Sequence, residues 1–424
     1  MPRWLGMLWM MAATVVMPVA PALAQEPDQP ASPQVAVEAT PDGAAVEEVV
    51  VADPLRFLRD APKPKPITPP SPGDIEAAIR RGVDFMVAIQ NPNGSWGSAL
   101  RTKALNIYAP VPGAHDGYRL ATTALGIWAL IDVGDTRPEV IAALDKAEAH
   151  LLDKLPELKR SSADVLYNVW AHAYGIQALV RMRERHKEDE VRRARIDEVI
   201  RQQIAELVKY ETVGGGWSYY DFRLGSKKPG GESFSFTSAT VLVALAEARD
   251  AGFEVPEEIS RRGVESIKRQ QKPDFSYLYA EYLWSQPMRG INRPQGSLAR
   301  SPACNLALRM WGDEQITDDV VKIWLDWLYA KNAWLDIARK RPRPHESWYE
   351  NSGYFFYYGH LYAGLCIELL PVEERGHFQA HEADILLNLQ EKDGSWWDYP
   401  LYDYHQQYGT AMALITLHRC RAAD

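Results

Sequence analysis

The residues of this chain best suited to chemistry fall in four short stretches. They are His115-Asp116-Gly117-Tyr118-Arg119, Arg300-Ser301-Pro302-Ala303-Cys304, the run from Tyr354 through Tyr358 to His360, and Asp403-Tyr404-His405. An imidazole titrates near neutrality and can take or give a proton at physiological pH. His115, His360 and His405, with Asp116, therefore form the candidate catalytic set. A guanidinium grips a carboxylate with two parallel bonds, which makes Arg119 and Arg300 candidate ligand-binding residues. Cys304, Tyr354, Tyr358 and Asp403 complete that group. Each also has a structural reading. Asp116 and Asp403 are of the type that caps helix N-termini, with Arg119 and Arg300 available to pair with them. Cys304 suits a small buried position, and His360 that of a hydrogen-bonded core histidine.

These stretches are carried by apolar helical runs. Val241 to Ala248 and Tyr354 to Leu370 are apolar nearly all round, the pattern of helices covered on both sides. Between such runs lie charged, amphipathic segments such as Arg193 to Leu207. The two kinds alternate as six hairpins. First helices begin near Ile75, Pro138, Ala194, Glu257, Asp318 and Glu373, and second helices centre near Thr123, Ala173, Thr240, Cys304, His360 and Thr410. Regular spacing on this scale means stacked supersecondary units, and no run alternates with the period of a strand. The expectation is an all-α domain over residues 73–424: an α/α toroid (barrel) of six helical hairpins, with apolar helices inside and amphipathic helices outside. Closing the ring would bring the inner-helix N-termini, and with them the candidate residues, to one mouth beside an aromatic cavity. Helix N-termini add partial positive charge there.

Three turns between first and second helices read alike: Gln90-Asn-Pro-Asn-Gly94-Ser-Trp96, Gly214-Gly-Gly216-Trp217, and Gln390-Glu-Lys-Asp-Gly394-Ser-Trp396. Glycine permits a tight turn, tryptophan packs between adjacent outer helices, and glutamine can bond exposed helix-end groups. A fourth copy is worn to Gln271-Lys-Pro-Asp-Phe-Ser-Tyr277. The Gln-x3-Gly-x-Trp turn resembles the repeat of squalene–hopene cyclases and of protein prenyltransferase β subunits, and the resemblance implies their α/α toroid. Their catalytic motifs do not come with it. The cyclases need Asp-x-Asp-Asp, whose nearest counterpart here, Ile316-Thr-Asp-Asp319, lacks the first aspartate. The transferases bind zinc through an Asp-x-Cys pair and a histidine. Here Cys304 and His360 occupy matching positions, but Pro302 replaces the aspartate. No metal and no cofactor are therefore expected.

Residues 1–24 read as a signal peptide: Arg3 supplies a basic start, Trp4 to Val19 an apolar core, and Ala22-Leu-Ala24 a small-residue cleavage site. Residues 25–72, rich in proline, alanine and acids, read as a disordered tether. The expected location is the periplasm or beyond, with no membrane span after cleavage. With 56 acids against 47 bases and a net charge of −9, the chain is not suited to nucleic acid. Its three cysteines show no metal-type spacing. The functional expectation is an exported toroid binding a ligand in its central cavity. It would act on an acidic polysaccharide by lyase- or hydrolase-like acid–base chemistry, or else bind an isoprenoid lipid. The contrasting reading is a non-enzymatic scaffold working through its surface, in which case the cavity would be plugged with side chains. Oligomeric state is not legible in the sequence.

Overall fold

The computed structural model describes residues 55–110, 112–224 and 227–421. The expected signal peptide and the tether up to residue 54 lie outside these residues. The last part of the tether is described: Leu58 is buried in the hydrophobic core, and residues 61–71 follow without regular structure.

Outer and inner helices alternate. In chain order they are α1 (Pro72–Ala88), α2 (Gly113–Val133), α3 (Pro138–Lys154), α4 (Asn168–Arg185), α5 (Glu190–Lys209) and α6 (Ser235–Asp250). They continue as α7 (Glu257–Gln270), α8 (Arg300–Met310), α9 (Asp318–Ala330), α10 (Phe356–Leu369), α11 (Arg375–Leu387) and α12 (His405–Arg419). Local signals set several starts. Ser71 caps α1, accepting from Asp74 N–H at 3.1 Å, with Pro72 at the first position. Asp189 does the same for α5. Thr317 caps α9, followed by Asp318 and Asp319 against the helix dipole.

The even-numbered helices form the inner ring. α2 packs on α4, α4 on α6, α6 on α8, α8 on α10, α10 on α12, and α12 returns to α2. This is an α/α toroid. The outer helices bury one stripe each; in α7 it runs Ile259, Gly263, Ile267 and Gln270. The inner helices are buried on nearly every side, as α6 shows from Ser235 to Ala246. Among the described residues the only strand-like pairings are isolated bridges, such as Phe234 with Ala280.

The repeated turn works as a clamp. Trp96, Trp217 and Trp396 donate their indole N–H to Met86, Leu207 and Leu386 carbonyls, each at 2.8 Å. Each acceptor lies in the last turn of the preceding outer helix, where carbonyls lack helical partners. Tryptophan, not glutamine, therefore satisfies the helix end. Gln90 instead donates to its own turn at Gly94 (3.0 Å) and to Ala143 within α3 (2.7 Å). The glycine permits contact as well as curvature. Gly94 has φ +87°, and a Cβ there would lie 2.3 Å from the Lys146 carbonyl oxygen of the next outer helix. The fourth turn keeps this geometry without glycine. Phe275 adopts φ 56°, and Tyr277 N–H bonds Ser297 Oγ just as Trp217 N–H bonds Ser238 Oγ. In the last turn, Gln390 donates to Ala78 of α1 at 2.9 Å, so the final repeat closes on the first.

Candidate functional site

A cavity of about 340 Å³ opens at the end of the toroid where the inner helices begin. Its walls come mainly from the N-terminal halves of α2, α4, α6, α10 and α12, with residues 106–108, 219–220 and 344–345, Tyr399 and Leu401 from the loops. Ten tyrosines line it, with Trp170, Phe236 and Phe355, but no Asp, Glu, Lys or Arg among the described residues. The lining is therefore aromatic and uncharged, with His345 its only imidazole.

Most of the phenol groups are already engaged. The Tyr167 hydroxyl bonds the Tyr220 hydroxyl and donates to the Tyr108 carbonyl at 2.7 Å. Tyr219 pairs with Tyr279 hydroxyl to hydroxyl. Tyr358 donates to the Phe236 carbonyl at 2.9 Å. The rings also stack, Tyr118 on Tyr167 with centroids 4.8 Å apart. Burial raises these phenols, Tyr354 to about 12, so they stay protonated near neutrality. Hydroxyls bonded in this way present ring faces, rather than free donors, to the cavity.

Of the ten residues singled out from the sequence, Tyr354 and Tyr358 line the cavity and the other eight do not. His360 is turned outward. Its Nδ1 lies 2.6 Å from Glu382 Oε1 on α11, and its Nε2 lies 3.1 Å from Asn332 Oδ1. Arg300 is fully buried and pairs with no aspartate. It donates to the carbonyls of Gly296 (2.8 Å), Tyr277 (3.2 Å) and Ile291 (2.6 Å), tying the 277–297 loop to α8. Burial lowers its guanidinium to about 10. Cys304 is buried on the same helix, where burial pushes its thiol up to about 12. His115 is buried, with Nδ1 3.3 Å from the Tyr404 hydroxyl and its ring against Tyr402. Asp116 is exposed in the first turn of α2, and Arg119 is half-buried one turn on. His405 bonds the Tyr402 carbonyl through Nδ1 at 2.7 Å and abuts Trp397. Asp403 accepts from Ser98 at 2.8 Å and from Gln407 at 3.3 Å, joining α12 to the first repeat's turn rather than capping a helix. The three histidines thus have separate partners and do not form one cluster. Among the described residues no group of three or more His, Cys, Asp or Glu side chains is placed to hold a metal ion.

Two pairs at the cavity had no sequence signal. His345 arrives from the loop between α9 and α10 with φ 62°. Its Nδ1 lies 2.8 Å from the Glu350 carbonyl and its Nε2 3.2 Å from the Tyr354 hydroxyl. The carbonyl takes the ring proton at Nδ1, leaving Nε2 to accept from Tyr354. Burial lowers the His345 pKa, which keeps it neutral. Asp398 is fully buried behind the wall, accepting from the Tyr357 N–H at 3.0 Å and from the hydroxyl of the cavity residue Tyr408. Burial raises its carboxyl to about 6. Positive φ at a non-glycine residue, and the contact of Asp398 with Tyr408, are visible only after folding.

No protein-family model and no curated protein matches the chain. Solved structures are similar to it at low identity. The type II terpene cyclase MstE from Scytonema is 16% identical over 83% of this chain and 99% of its own, with a TM-score of 0.49. A protein from Actinoplanes is also 16% identical, over 82% and 98%, with a TM-score of 0.47. A mutant unsaturated glucuronyl hydrolase from Streptococcus agalactiae is 9% identical over 88% and 96%, with a TM-score of 0.48.

Proposed function

We propose that this protein is an exported toroid whose cavity binds an apolar, extended molecule of the isoprenoid-lipid kind. The observation that carries this is the lining: aromatic faces around about 340 Å³, with no charged side chain among them. Cavities of this size that are apolar with a few polar groups suit small ligands. An acidic polysaccharide would need a cation for its carboxylates and free partners for its hydroxyls. Arg300 is spent on three carbonyls, and the wall hydroxyls of Tyr167, Tyr219 and Tyr358 are spent on one another or on backbone. A chain lipid asks only for apolar contact, which the rings supply at roughly 25 cal/mol for each Å² removed from water. His345, bonded to the Tyr354 hydroxyl, is the one imidazole among the described residues of the wall.

The test is a comparison of ligands with a blocked cavity as control. Geranylgeraniol should raise the melting temperature and quench Trp170 at the wall, while an oligogalacturonate should do neither. Ala121→Trp, which fills the cavity from α2, should abolish both responses. Stabilisation by the oligogalacturonate alone, or an isoprenoid response unchanged in Ala121→Trp, would overturn the assignment.

A further inference from the structure

Thirteen large apolar side chains are exposed among the described residues, and ten of them lie in segments that lead from an outer helix to the next inner helix. All those segments sit at the end of the toroid where the cavity opens. Of the other three, Val191 and Val372 lie at or just before the starts of outer helices, away from those segments, and Phe57 lies ahead of α1. The asymmetry is therefore a property of the cavity's own face. Trp284 is 75% exposed, and Phe222, Trp348, Met288 and Leu100 are more than half exposed. They stand on four separate loops, as tips rather than as one continuous patch.

Basic side chains are interleaved with these tips. Arg101, Lys103 and Arg343 are exposed on the rim loops, and none has a carboxylate partner among the described residues. Lys103 and Lys340 flank the Trp397 ring at 4.8 and 4.6 Å. These cations stand out on a chain whose net charge is −9. A protein partner would need a contiguous, well-packed interface. A lipid interface accepts separate aromatic and aliphatic tips, each sinking into the boundary between headgroups and chains, with Arg and Lys at the phosphates.

We infer that the cavity's face docks on the surface of an anionic lipid bilayer. Trp284, Trp348, Phe222, Met288 and Leu100 enter the interface, Arg101, Lys103 and Arg343 meet headgroup phosphates, and the cavity opens toward the lipid. The attachment is peripheral, since no helix among the described residues is long and apolar enough to cross a membrane. It deepens the lipid reading above by giving the ligand a route in, but vesicle binding is read without any cavity ligand. The two can therefore fail separately.

Flotation of the chain from Gln25 onward with vesicles decides it. The protein should float with vesicles of equal phosphatidylglycerol and phosphatidylethanolamine, and less with pure phosphatidylcholine. Trp284→Ser with Trp348→Ser should weaken partitioning about tenfold or more, without changing the circular dichroism of these exposed positions. Arg101→Glu with Lys103→Glu and Arg343→Glu should remove the preference for anionic vesicles, and added salt should do the same. Val191→Ser with Val372→Ser should bind as wild type. Absence of wild-type flotation with anionic vesicles, or equal loss in the Val191/Val372 variant, would overturn the inference. So would a dimer in solution that Trp284→Ser with Trp348→Ser disperses, which would assign the face to a second copy of the chain.

Discussion

His360 Nδ1 lies 2.6 Å from Glu382 Oε1, pinning inner helix α10 to outer helix α11 through a pair that is out of contact with solvent. The histidine is thus a tie between rings, and its second nitrogen is held by Asn332. Removing it strands a buried carboxylate, which costs about 3–5 kcal/mol. His360→Ala should lose that much stability in urea unfolding, while His360→Ala with Glu382→Leu should recover a large part of it. Geranylgeraniol binding by folded His360→Ala should stay near wild type, because the residue does not line the cavity.

Stability should respond to pH through two buried groups with opposite signs. Burial raises Asp398 to about 6, above an unfolded value of about 3.9. Between those values the native state holds more protons than the unfolded chain, so this residue's contribution falls as pH rises through the window. Burial lowers His172 to about 4, below an unfolded value of about 6.5. There the unfolded chain binds more protons, so stability grows as pH rises. Each effect amounts to about 3 kcal/mol, the histidine's being slightly the larger. Relative to wild type, Asp398→Asn should make stability rise more steeply from pH 4 to 6, and His172→Gln should make it rise less or fall. Chemical denaturation across that range reads both slopes.

Two glycines separate backbone strain from steric contact. Gly252 has φ +92° with nothing within 4 Å of an added Cβ, whereas Gly394 has φ +88° and its Cβ would meet the Arg81 carbonyl oxygen of α1 at 2.5 Å. Gly252→Ala should cost about 1 kcal/mol, the strain alone. Gly394→Ala should cost clearly more, because the ring-closing contact must open. The difference between the two unfolding free energies measures the closure.

The turn tryptophans should be sensitive to loss of one N–H. Trp217→Phe keeps an aromatic ring but leaves the Leu207 carbonyl without its 2.8 Å donor. An unsatisfied buried acceptor costs about 1–3 kcal/mol, and the smaller ring adds a packing loss. The melting temperature of Trp217→Phe should fall accordingly, with helix content at low temperature unchanged.

The helices were legible because their signals are local. Pro138, Glu257 and Asp318 open their helices where the punctuation predicts, and the Gly-x-Trp turns mark three returns by type and spacing. The aromatic mouth followed from Tyr354 and Tyr358, which fall just before and in the first turn of α10. The roles of individual polar residues did not follow. α10 is buried from Phe356 to Ile367 on every side, so periodicity could not show that Tyr358 faces the cavity while His360, two residues on, faces Glu382. Arg300 was similarly ambiguous, since its three acceptors are backbone carbonyls, which carry no sequence signature. His345 reaches the wall only because its loop adopts positive φ there, and Asp398 meets Tyr408 only because residues 398–404 fold back on α12. Sequence by itself determined the elements and their order, because capping, turn chemistry and apolar content act over a few residues. Which side chain meets the cavity was decided by the closed ring, because facing in a helix covered on both sides depends on neighbours that arrive from elsewhere in the chain.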